Sequence, residues 1–161
     1  MAEIRRERSI HVLWCDDIRR EVGNKPSFMG VYTGALLMPT IPSVLTRLAA
    51  YVSLTTPVER PFRKLVITVR SGAQSKGDEP IARLDFPTGD LASVPESPPG
   101  EDPSKMFVCI DAALLLGPIA VTDQTKWLKV FVETEDETVE SFKLHMLRAP
   151  AQQRASATEA P

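Results

Sequence analysis

The chain holds only two cysteines, Cys15 and Cys109, and only two histidines, His11 and His145, in 161 residues. Two thiols make no disulfide framework, and a reducing cytosol would keep both free. Zinc takes three or four His or Cys ligands, which a chain with two of each cannot easily supply at one place. Glycine is sparse at 8 residues. Neither Gly-x-Gly-x-x-Gly nor Gly-x-x-x-x-Gly-Lys-Ser/Thr occurs, so dinucleotide binding and phosphoryl transfer have no support. No Gly-x-Ser-x-Gly elbow offers a hydrolase nucleophile. No apolar run approaches the roughly 20 residues that a membrane-spanning helix needs. The net charge is −2, from 19 basic and 21 acidic residues, which leaves no cationic excess for nucleic acid or an acidic membrane. Arg5, Arg6 and Arg8 are offset by Glu3 and Glu7. The expectation is a protein with no cofactor, no metal, no catalytic residue, and neither a nucleic-acid nor a membrane partner.

What the sequence has in quantity is residues branched at Cβ: 14 Val, 8 Ile and 12 Thr. Such side chains suit a pleated surface and lose rotamer freedom in a helix. They fall in short segments where apolar and polar positions alternate. Ile10, Val12 and Trp14 share one face of Ser9 to Cys15. Leu48, Ala50, Val52 and Leu54 form a second set, Leu65, Ile67 and Val69 a third, then Ala82, Leu84 and Phe86, and Met106, Val108 and Ile110. Ile18 to Val22 and Ser27 to Thr33 flank Gly23-Asn24-Lys25-Pro26, the signature of a hairpin turn. Leu128, Val130 and Val132, followed by a short acidic loop and then Phe142, Leu144 and Met146, spell a second antiparallel hairpin.

These patterns predict an all-β fold, an antiparallel β-sandwich of immunoglobulin-like or C2-like type with at most one or two short helical turns. The immunoglobulin Cys-to-Trp spacing is absent, because Trp14 precedes Cys15, and both cysteines are expected as small buried apolar groups. Two segments also fit a helical period. Ser43 could cap a helix over Leu45 to Val52, but the alternation continuing through Tyr51 to Thr55 favours a strand. Asp111 could cap Ala112 to Leu116, stopped by Gly117-Pro118, and a helical turn is expected there.

The predicted organisation is a charged arm at 1–8, a sandwich domain at 9–147 and a disordered tail at 148–161 whose side chains are too small or polar to offset the entropy of ordering them. Pro87, Pro95, Pro98, Pro99 and Pro103 make 87–104 an exposed loop, since proline cannot donate to a sheet. Ile10 to Cys15 is too short, and too broken by His11, for a secretory signal, which favours a cytoplasmic location.

Catalysis by a Cys–His pair is disfavoured: along a strand, His11 and Cys15 stand about 13 Å apart. His145 sits on the polar face of the last strand. Asp16 and Asp17 are adjacent and point to opposite sides of an extended chain, and Asp85, Asp90, Asp102 and Asp111 lack the density of a calcium loop. The densest cluster of charge runs from Cys15 to Tyr32, where Asp16, Asp17, Arg19, Arg20, Glu21 and Lys25 could pair across a hairpin. Gly30 could mark a bulge.

The Cys15-Asp16-Asp17-x-Arg19-x-Glu21-x-Gly23 segment followed by Met29-Gly30-Val31-Tyr32 resembles a family of bacterial proteins of uncharacterised function. Pro39-x-x-Pro42, Thr55-Thr56-Pro57 and Arg60-Pro61-Phe62 fit the same pattern, and the similarity spans most of residues 9 to 147. The resemblance implies a bacterial, cytoplasmic, single-domain protein and transfers no catalytic residue.

Two function classes follow. In the first, the chain is a non-enzymatic binding or assembly module. Leu36-Leu37-Met38 and Leu114-Leu115-Leu116 each set three apolar residues in a row, where a half-buried strand hides only alternate ones. The surplus makes Leu37 and Leu115, with Asp16, Asp17, Arg19 and Arg20, the candidate residues for a protein partner or self-association. In the second, a divalent-ion-dependent binder or enzyme uses Asp16, Asp17 and the loop acids.

Overall fold

The structure, a computed structural model, describes residues 7–73, 79–87, 100, 102 and 105–150. The expected arm therefore lies outside the described residues up to position 6, the tail from 151 onward, and the proline-rich loop except at 87, 100 and 102. Every regular element among the described residues is a strand: β1 (Ser9–Cys15), β2 (Asp17–Arg20), β3 (Pro26–Met29), β4 (Ala35–Met38), β5 (Ser43–Leu45), β6 (Leu48–Pro57), β7 (Leu65–Ser71), β8 (Ala82–Asp85), β9 (Phe107–Leu116), β10 (Ile119–Val121), β11 (Trp127–Thr134), β12 (Thr138–Glu140) and β13 (Leu144–Arg148). No helix among them is long and apolar enough to cross a membrane.

The fold is an all-β sandwich. One layer is a sheet of order β1-β6-β9; the other runs β4-β13-β11-β7-β8, with β12 also against β11. Alternation decides what lies between them. Leu48, Ala50, Val52 and Leu54 of β6 meet Leu65, Ile67 and Val69 of β7 and Leu128, Val130 and Val132 of β11 in one core. Each large aliphatic side chain removed from water there contributes about 1.5–3 kcal/mol. Pairing is antiparallel except for β4 with β13, the one parallel pair among the described residues.

Two stretches differ from expectation. Asp111 to Leu116 is not a helical turn but the second half of the ten-residue strand β9, paired to β6 from Leu48–Leu116 to Pro57–Phe107. Ladder bonds to a neighbour along its full length outweigh a local capping preference. The last hairpin is split. Residues 138–140 pair tightly with β11 as β12, the chain steps out at Ser141–Lys143, and it returns as β13. Phe142 is consequently 97% exposed, not on the inner face with Leu144 and Met146. Ser141 fills the step: its Oγ accepts from Val130 N at 3.0 Å.

The β6–β9 pairing does not end at Leu48. β5 and β10 continue it in the same register, Leu45 opposite Ile119, so one long two-stranded ribbon bends at Thr46–Arg47 and Gly117–Pro118. Gly117 sits at φ +143°, and a Cβ there would run into the Thr46 carbonyl oxygen. Only glycine permits that close approach of two backbones at the corner.

Arg8, which the sequence places in the charged arm, is instead a buried latch with its side chain 2% exposed. Its guanidinium donates to Thr56 Oγ1 at 3.3 Å, to the Arg60 and Pro61 carbonyls at 3.3 and 3.2 Å, and to Glu135 Oε1. It also lies over the Phe62 ring at 4.6 Å. Glu135 Oε2 accepts from the Arg63 and Lys64 backbone N–H groups at 3.1 and 3.2 Å. The pair thus ties the start of β1 to the β6–β7 loop and the β11–β12 turn. At the other end the domain runs past 147: β13 includes Arg148, and Ala149 N donates to Met38 O at 2.8 Å.

Burial works to raise the Glu135 pKa, but Arg8 and the backbone N–H donors more than offset it and hold the carboxyl down at about 2, against 4.5 ordinarily. A carboxylate depressed in the folded state stabilises the fold above its unfolded pKa and loses that contribution as pH falls through the folded one. Unfolding free energy should therefore drop between pH 4.5 and 2, and urea titrations across that range measure it. Glu135→Gln should flatten this acid limb and cost at most about 3 kcal/mol at pH 7, because it leaves the buried Arg8 charge with only Asp136, 4.0 Å away, to oppose it.

Candidate functional site

The candidate site is made by a kink in the first hairpin. Trp14 bridges Tyr32, and Asp17 pairs with Met29, so one register runs through both and sets Asp16 opposite Gly30. Gly30 is therefore a kink without an inserted residue, not a bulge. It sits at φ +64°, and a Cβ there would overlap the Asp16 carboxylate. Asp16 N donates to Met29 O at 2.9 Å and to Gly30 O at 3.2 Å, while its Oδ1 accepts from the Tyr32 hydroxyl. Burial, then that bond, pushes the Tyr32 pKa up to about 12.

Beyond the kink, the β2–β3 hairpin folds as an arm over the outer face of the β1-β6-β9 sheet. Ile18 and Phe28 are register partners and share the arm's underside. Phe28 meets Tyr51 of β6 edge-on, ring centroids 4.9 Å apart. The arm shields Cys15 and Ala49, which are fully buried although they point away from the core. Burial, then the Asp16 charge, raises the Cys15 thiol pKa; a protonated, enclosed thiol is chemically inert.

Toward the arm's tip, a cleft of about 320 Å³ opens between the arm and the sheet, lined by Ile18, Arg20, Asn24 and Pro26 above and by Tyr51, Asp111 and Ala113 below. Arg20 Nη1 donates to Asn24 Oδ1 at 2.5 Å. Asp111 faces it from the sheet, beside Tyr51, whose pKa is raised by burial and then by a hydrogen bond to the Asp111 carboxylate. Cys109 stands next to this group, 3.4 Å from Ser53 Oγ and 3.7 Å from Asp111 Oδ1. It is exposed, which corrects the expectation that both thiols are buried. On the outer face of an edge strand nothing in the sandwich covers it.

The six candidate residues do not converge. Arg20 lines the cleft. Asp16 is committed to the kink. Asp17 accepts from Arg47 at 2.5 Å and from Arg19 at 3.5 Å. Arg19 is exposed beside it. Asp17, Arg19 and Arg20 lie opposite Met29, Ser27 and Pro26 and find no charged partner across the hairpin; Glu21 and Lys25 do face each other, joined through the backbone by Glu21 N donating to Lys25 O at 2.8 Å. Leu37 and Leu115 are 48% and 62% exposed, as the surplus of apolar residues implies, but on the outer faces of opposite sheets. The acids expected near strand ends are also apart. Asp85 pairs with Arg83 at 2.8 Å, Asp102 lies 3.8 Å from Lys105, Asp111 is in mid-strand, and Asp90 lies outside the described residues. Among the described residues no three His, Cys, Asp or Glu side chains are grouped to hold a metal.

Sequence reasoning missed Tyr51 as a site residue and took Asp111 for a helix cap. The available signal was a single charge inside the apolar run Phe107 to Leu116 and an aromatic at an outward position of β6.

If Gly30 is required for its φ and for room beside Asp16, then Gly30→Ala should cost about 1–3 kcal/mol in urea unfolding. Pairing it with Asp16→Ala should recover the steric part. The double variant is then less destabilised than the sum of the two singles, which a double-mutant cycle reads directly. Comparison with known protein families, curated proteins and solved structures gives no match to this chain.

Proposed function

We propose that the chain is a non-enzymatic assembly module that pairs through the outer edge of β9 with a second copy of itself. The observation that supports this is the character of that edge. β9 is ten residues long, and among the described residues no strand pairs with the outer side of its residues Val108 to Leu116. It reads Phe-Val-Cys-Ile-Asp-Ala-Ala-Leu-Leu-Leu: one charge, with no Lys, Pro or Gly. Proteins ordinarily blunt such edges with charge, proline, a bulge or brevity. Two of the other edges are treated that way: β8 has four residues and carries the Arg83–Asp85 pair, and β4 has four residues. β1, at seven residues, is shorter than β9 and is met at Trp14 by Tyr32. On β9, the inward residues Val108, Ile110 and Leu114 are only half-buried, and Leu115 is exposed on the other face.

A two-fold antiparallel β9 pair would satisfy the edge backbone and extend both three-stranded sheets. Registers that set Asp111 against its own copy are disfavoured by like-charge repulsion, which leaves the shifted ones. The bacterial, cytoplasmic setting belongs to this same proposal. It rests on the resemblance of the first hairpin and on two unpaired thiols. The ion-dependent alternative has no comparable support, since Asp16 serves Tyr32 and Asp17 serves Arg47.

Light scattering across a concentration series tests the proposal, with Leu115→Lys as the edge-blocked control. That side chain is exposed and lies outside the cleft, so circular dichroism of the variant should match the parent. The parent should gain mass with concentration while the variant stays monomeric. A parent that remains monomeric throughout, or a variant that associates equally well, overturns the proposal.

A further inference from the structure

The cleft under the arm shares Asp111 and Ala113 with β9 but uses the outer face of that strand, not its open edge. Its two walls bear opposite charge that does not meet: Arg20 on the arm and Asp111 on the sheet form no ion pair within 4.0 Å, and Arg20 is held to Asn24. Between them lie the apolar surfaces of Ile18, Pro26, Ala113 and the Tyr51 ring. The volume of about 320 Å³ stands at the small end of ligand sites, which run from roughly 300 to 1,000 Å³.

From this arrangement we infer that the cleft binds a small zwitterion, a free α-amino acid with an apolar side chain. The Arg20 guanidinium offers a planar fork of donors matched to a carboxylate. Asp111 offers acceptors to an ammonium group, its carboxylate having lone pairs to spare beyond the Tyr51 hydroxyl. Neither charge alone selects this ligand. A simple carboxylate would face Asp111, and a simple amine would face Arg20, so each is opposed by the wall it does not use. A molecule carrying both groups neutralises both walls, and its side chain covers the apolar floor. Binding at this site does not require the chain to assemble.

Calorimetric titration of the full chain with leucine and phenylalanine tests the inference, alongside their methyl esters, which lack the carboxylate, and their N-acetyl forms, which lack the ammonium. Saturable binding of a free amino acid is expected, weakened about tenfold or more when either end is blocked. Arg20→Gln should weaken the free amino acid by a similar factor while sparing the methyl ester, and Asp111→Asn should do the converse for the N-acetyl form. No saturable binding up to tens of millimolar overturns the inference. So does binding that is indifferent to blocking both ends. The blocked ligands need no variant, so the test stands even where a substitution disturbs the fold. Light scattering repeated with saturating leucine separates the two proposals: a chain that binds leucine yet stays monomeric keeps this inference and overturns the β9 pairing, and a dimer that binds no free amino acid does the reverse.

Discussion

A strand has two faces and can bury both only if something stands on each. That constraint organises this molecule. The inner faces of the two sheets cover one another, and the side chains of β6, β7 and β11 that point inward are almost completely removed from water. The outer faces have no second sandwich to lean on. On the β1-β6-β9 sheet the chain supplies a partial third layer by folding the β2–β3 arm across it. Cys15 and Ala49 are fully buried beneath that arm, Tyr51 is half-covered by it, and the cleft exists because the arm covers the sheet incompletely.

The arm can lie there because of two residues that face each other across the hairpin. A regular ribbon leaving β1 would continue past the edge of the sheet. The kink at Asp16 and Gly30 turns it over the outer face, and the Asp16 side chain occupies the space that any side chain on residue 30 would need. The Asp16 carboxylate then bonds Tyr32 on the far side of the kink, so the bend is clamped rather than hinged. Asp17 adds a second restraint by reaching Arg47, next to the corner where the β6–β9 ribbon bends. The adjacent acids that looked like one functional cluster are two fasteners, one on either side of the fold-back.

Much of the sandwich was legible because burial imposes a period of two on any strand that is covered on one side. The sets Leu48 to Leu54, Leu65 to Val69 and Leu128 to Val132 all landed inward as the pattern demanded. The failures share a cause. Asp111 to Leu116 has a local pattern that a helix would accept, and only the presence of β6 beside it makes it a strand. Phe142 keeps the alternation in sequence, but the step at Ser141 breaks it in space. Arg8 reads as one charge in an arm of mixed sign, and nothing local announces that Glu135, far along the chain, completes it. The first hairpin was visible from its turn residues, whereas its position over the sheet was not. The cleft, which depends on that position, could be found only from coordinates. What the sequence did disclose of the site was a chemical oddity, a lone carboxylate within an apolar run.

The same geometry explains why the opposed charges of the cleft stay open. Arg20 is four residues from Asn24 across the turn, and their bond holds the guanidinium against the arm rather than letting it reach down. The arm cannot drop as a whole, because Phe28 already rests edge-on against Tyr51. The sheet cannot rise, because β6 is fixed between β1 and β9 by ladder bonds on both sides. A surface ion pair would return at most about 1 kcal/mol for closing the gap, too little to unseat an aromatic contact and a clamped kink. Two complementary charges are therefore kept apart by packing that is stronger than their attraction. Their separation is set by the apolar foot of the arm, and a ligand able to reach both charges gains what the protein's own side chains cannot.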